Sequence, residues 1–187
     1  MISDEQAGDK AWCLSKDGAA ALLNYIEGAA ESMFCKDGHL CVVALLWSYR
    51  DGQMEMDVLP AHAVPGCDGN SDSKAFFEHA VRTLAFQIDA FALAVVAEAS
   101  AVLTPEGATI AEGKAMLLRP ELRSEIVVIA FEHPAIPHAS CSSTSAVTRQ
   151  IPGDTESPGT LGPWNRTGDD VSIYGSFTAL LPGARGN

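Results

Sequence analysis

Apolar residues at Leu22, Leu23, Ile26, Ala29, Ala30 and Met33 recur at the spacing of one helix face. Ser15 or Asp17 stands where an N-cap is needed, because a short oxygen-bearing side chain can accept a backbone N–H of the first turn. The Asp37-Gly38 pair ends the stripe. The pattern therefore predicts a helix over roughly 15–37, behind a polar lead-in of residues 1–14. The period then changes. Leu40 to Tyr49 is a continuous apolar, β-prone run, and Met54, Met56 and Val58 alternate with Gln53, Glu55 and Asp57. Asp51-Gly52 between them is the dipeptide of a tight hairpin, since both positions must accept positive φ.

Helical spacing returns at Phe76, Phe77, Ala80, Val81, Leu84, Ala85 and Ile88, with Asp72 or Ser73 as the cap. Phe91–Leu103 and Glu125–Phe131 read as strands, with a short helical turn near 112–117 between them. Beyond Pro134 the chain turns to Ser, Thr, Gly and Pro, and two weaker strands are expected at 145–151 and 171–179. A long loop over 152–170 separates those strands, with Trp164 as the residue that would pack it down. Ser142, Ser143 and Thr144 read as a small-residue turn. The order α-β-β-α-β-β-β-β, linked mostly by hairpins, implies one α+β domain. Its sheet would be mostly antiparallel, with about six strands and two main helices on one face.

Composition narrows the picture without changing it. The 187 residues suit one domain, and 47% apolar content is that of a globular chain. Twelve basic residues against 24 acidic give a net charge of −12, which repels phosphate backbones and disfavours nucleic-acid binding. The N-terminal stretch is acidic where a signal peptide would be basic and then apolar, and no apolar run reaches the roughly 18 residues of a membrane span. A cytoplasmic setting follows as the expectation, with the five cysteines reduced; no cofactor is implied.

Candidate chemistry is sparse. The chain contains no G-x-S-x-G, P-loop or G-x-G-x-x-G sequence. His133, His138 and Cys141 supply three zinc-type donors, but Pro134 and Pro137 exclude a helix between the histidines. The trio converges only if its loop bends, so a solvated connector is the expectation. Cys35, His39 and Cys41 lie close in sequence, and the cysteines are expected as small buried hydrophobes. Residues 68–72 match the first half of a calcium loop, D-x-N-x-D, but Ser73 and His79 stand where that pattern needs Gly and Glu. Glu98, a lone carboxylate in an apolar strand, needs an arginine such as Arg119, Arg123 or Arg149 if it is buried; the solvent face of the strand is the simpler expectation.

The strand AVVAEASAV with Glu98, the stretch RPELRSEIVVIAFEH, the strand AVTRQI with Arg149 and the terminal YGSFTALLPG together resemble a group of bacterial and phage proteins of similar size. Where that group has a tryptophan after the glutamate, this chain has Ala99 and Ser100. The resemblance spans most of the chain and implies the α+β architecture; it brings no activity with it.

Three functions remain in view. The first is an acidic interaction or accessory protein, of phage or mobile-element type, that binds a protein partner or assembles with itself. The second is a metal- or carboxylate-dependent hydrolase with Glu98 as base or ligand beside Glu132, His133 and His138. The third is a DNA-mimicking inhibitor, which needs acids in rows at phosphate-like spacing.

Overall fold

A computed structural model describes residues 2–67, 73–102, 104, 109–136, 140–151, 157, 159–167, 180 and 181. The long helix forms as its pattern requires. Here it is α3, Lys16–Asp37, after two short helices, α1 (Asp4–Gly8) and α2 (Lys10–Cys13). Ser15 Oγ accepts from Gly18 N–H at 3.1 Å, and Gly38 closes the other end in the left-handed region with φ of 73°. The polar lead-in is thus helical, because Ser3 and Asp9 cap its two turns. A β-carbon on Gly18 would lie 2.3 Å from the Trp12 carbonyl oxygen, so only glycine lets α2 fold back this closely on α3.

The hairpin pairs β1 (Val43–Arg50) with β2 (Gln53–Pro60) across Asp51 and Gly52, whose φ values of 50° and 82° make a type I′ turn. Helix α4 (Ser73–Gln87) leads to β3 (Ala92–Ala101), and α5 (Ile110–Leu117) leads to β4 (Ser124–Glu132). After β5 (Ser140–Arg149) come two three-residue strands, β6 (Gly159–Leu161) and β7 (Asn165–Thr167).

Among the described residues all pairings are antiparallel, in the order β2-β1-β3-β4-β5-β6, with β7 also on β5. Val147 lies opposite Leu161, and Thr144 opposite Asn165. One side therefore carries one residue more than the other between these pairs, the mark of a bulge at Gly162–Trp164. The bulge is held by Gly162 N–H to Ala146 O at 2.9 Å and by Ser145 Oγ to Gly162 O at 2.7 Å. It turns Trp164 onto the core, and the expected loop is in part a broken edge strand.

The two main helices lie on opposite faces of the sheet, not on one. Leu22, Ile26, Ala30 and Phe34 of α3 cover Trp47, Ala94, Val96, Val127, Ile129 and Phe131. Phe77, Val81 and Ala85 of α4 cover Ala44, Leu46, Leu93 and Val95. The reason is in β1 and β3: residues of both alternation phases are apolar there, so each face of the sheet needs a cover.

Ser142, Ser143 and Thr144 are in β5 and form no turn, since they continue the ladder against β4. The strand expected at 171–179 and the calcium-like segment 68–72 lie outside the described residues. No described helix is long and apolar enough to cross a membrane.

Candidate functional site

Glu98 points to the α3 face. Its carboxylate accepts from the Leu40 N–H, and Arg149 Nη2 donates to it at 3.1 Å. Arg149 Nε donates to Glu125 at 2.7 Å, and Nη1 donates to the carbonyls of Gly38 and Ser157. The guanidinium lies 5.1 Å from the centre of the Phe34 ring. One buried arginine thus joins three neighbouring strands to the carbonyl that ends α3, where positive charge complements the helix dipole. The solvent-face expectation for Glu98 holds only in part: its side chain keeps 27% of its exposure, while Arg149, two strands away on the same face, pairs with it. Of the three arginines the sequence offered, Arg149 is the partner.

A second cluster lies farther along the same face. Glu27 of α3 accepts from Ser143 Oγ at 2.7 Å and from Arg166 Nε and Nη2 at 2.9 and 2.6 Å. Burial pushes the Glu27 carboxyl up, but the Arg166 and Ser143 bonds outweigh it and hold the group below its ordinary range. Cys141 adjoins this pair. Burial raises its thiol, the Arg166 charge opposes that and Glu27 adds to it. The thiol form prevails at neutral pH, which makes Cys141 a poor nucleophile and a poor metal ligand.

Glu132 lies on the other face, opposite Leu93, where its carboxylate accepts backbone N–H groups from Leu180 and Leu181 at 2.8–3.0 Å. Glu98 is on the α3 face opposite Val127, five ladder positions away, or roughly 17 Å along the strand. The two carboxylates share neither a face nor an end of the sheet.

His133 is fully buried, which overturns the expectation of a solvated connector. Nδ1 accepts from the Ala135 N–H at 3.1 Å, so the ring proton is on Nε2, which donates to the Cys13 carbonyl at 2.9 Å. The ring packs against Phe91 and Phe131. This histidine fastens α2 to the end of β4, and both nitrogens are taken, leaving no lone pair for a metal. His138 lies outside the described residues. The pair Glu98 and His133, central to the hydrolase reading, is not brought together.

Comparison with protein-family models, with curated proteins and with solved structures returns no match to this chain.

Cys35 and Cys41 are exposed, not buried: Cys35 sits on the outer side of α3, and Cys41 sits just before β1. His39 Nδ1 donates to the Asp37 carbonyl at 2.9 Å, which fixes the ring on the turn. Among the described residues no three of His, Cys, Asp and Glu gather as metal ligands. Sequence reading missed Glu27, Ser143 and Arg166. The available signal was Glu27 itself, an acid on the helix side that later contacts β5.

Burial lowers the His133 pKa below its ordinary value, and the Cys13 carbonyl only partly opposes the shift. In the unfolded chain the ring takes a proton near pH 6.5. Between the two values the unfolded state holds the extra proton, so stability falls as pH drops below about 6.5. Urea midpoints are expected to decline from about pH 7 to about pH 5 in the native chain and to decline less in His133→Gln.

Proposed function

We propose that this protein acts as a binding module and not through a reacting cleft. The observation that carries the reading is where its side chains are spent. Glu27, Glu98, Glu125, Glu132, His133, Arg149 and Arg166 are all bonded within the fold. Large apolar side chains stand outside it, with Phe86 and Leu118 each 78% exposed. Where such side chains gather into one patch, as Met56 and Val58 do on one face of β2, they offer a partner apolar contact area. The net charge of −12 keeps such a surface soluble and favours partners carrying the opposite charge.

Light scattering of the full chain, together with affinity capture on it, tests this. A defined oligomer, or a partner retained in stoichiometric amount, is expected. A strict monomer that retains nothing specific would refute the reading.

A further inference from the structure

We propose that the free edge of β2 binds an extended segment of a partner protein in which apolar residues alternate with lysine or arginine. This deepens the binding-module reading and rests on it.

The edge is free because β2 has one sheet neighbour, β1, among the described residues. The type I′ turn sets which backbone groups it offers. In a two-residue hairpin the closing pair, Arg50 and Gln53, exchanges both hydrogen bonds, and inward and outward residues then alternate. Gln53, Glu55, Asp57 and Leu59 bond inward to β1. Met54, Met56 and Val58 direct their N–H and C=O groups outward, and among the described residues no strand receives them. Pro60, which has no N–H, ends the row at the position where a donor would again face outward.

The side chains split in the same register. Met54, Met56 and Val58 lie opposite Tyr49, Trp47 and Leu45, on the α3 face. Met54 packs against the core beside Cys13, while Met56 and Val58 are 40% and 52% exposed. Glu55 and Asp57 lie on the opposite face, both bonded to Arg50 at 2.7 Å. Two carboxylates share one guanidinium, so that face of the edge keeps a net negative charge.

This arrangement selects the occupant. A second copy would pair β2 with β2 antiparallel. Each two-fold register that sets Met56 opposite Met54, Met56 or Val58 also sets a carboxylate against a carboxylate. Glu55 meets Glu55, Glu55 meets Asp57, or Asp57 meets Asp57, and directly opposed like charges are unfavourable. The neighbouring registers set Met56 against Gly52 of the turn or against Pro60, which has no N–H to give. A strand with basic residues on that face and apolar ones on the other reverses the sign, and its apolar side chains cover Met56 and Val58. Main-chain bonds hold the strand, and the side-chain rows choose it.

The test uses the full chain and two short acetylated peptides, one alternating valine with lysine and one alternating valine with glutamate. Binding is read by fluorescence anisotropy, and amide exchange locates it. The lysine peptide is expected to bind, to weaken with salt, and to protect the amides of Met54, Met56 and Val58. The glutamate peptide is expected not to bind. Glu55→Gln with Asp57→Asn should weaken the lysine peptide roughly tenfold, as the loss of two cross-strand charge pairs implies. Met56→Pro removes one outward donor without breaking the β1 ladder and should abolish the protection. Equal binding of both peptides, no binding of either, or protection elsewhere overturns the proposal. Applying Met56→Pro in the capture experiment separates the two readings. A partner or oligomer that survives it leaves the binding module standing and removes the β2 edge.

Discussion

Replacing Arg149 with methionine is expected to lower the stability of the protein by about 3 kcal/mol, read as a fall in the urea midpoint at unchanged slope. The side chain is buried and meets four oxygen partners at once: two carboxylates and two backbone carbonyls. Its removal leaves Glu98 and Glu125 facing each other beside a helix end whose carbonyl has lost its donor. Both carboxylates keep about a quarter to a third of their exposure, so water absorbs part of the cost and the upper end of the range for broken buried pairs is not reached. Glu98→Gln keeps a polar group that can accept from the Leu40 N–H, and should cost about 1 kcal/mol. Replacing Glu98, Glu125 and Arg149 together by leucine should recover most of the loss, because no unpaired charge remains. If Arg149→Met alone were neutral, the network would be no more than a surface ion pair.

Phe34→Ala is expected to cost about 4 kcal/mol, again by urea unfolding. The ring is fully buried at the last turn of α3 and carries the Arg149 guanidinium on its face. It also lies 3.1 Å from where a β-carbon of Gly159 would be, so its removal opens a void between helix and edge strand that the backbone cannot readily fill. Loss of Phe34 and loss of Arg149 are expected to be less than additive, since each removes the support of the other. A double-mutant cycle giving plain additivity would show that the 5.1 Å contact carries no energy.

The α3 boundaries, the β1–β2 turn and α4 were legible because each rests on a local rule: a cap, a positive φ, a 3.6-residue period. β5 was misread at its start for the same local reason. Ser142, Ser143 and Thr144 are turn formers taken alone, yet buried Ser143 is held in the ladder by Glu27, 116 residues earlier. His133 and Glu132 are neighbours in sequence that serve opposite faces, because successive strand residues alternate. Neither could be assigned a partner from spacing, since Cys13, Leu180 and Leu181 lie far along the chain.

The sequence by itself determined α3, α4, the hairpin and the antiparallel alternation, since each is a contest among neighbouring residues in which backbone geometry and side-chain period decide. It also left β1 and β3 apolar in both phases, a demand for cover on two faces that the expectation of helices on one face did not meet. Only the tertiary structure decided which helix answers on which face, that Arg149 gathers Glu98 and Glu125, and that β2 has one strand neighbour among the described residues. Those outcomes depend on which strands become neighbours. Strand adjacency follows from the burial and pairing energy of the whole sheet, and no local window of the chain contains that sum.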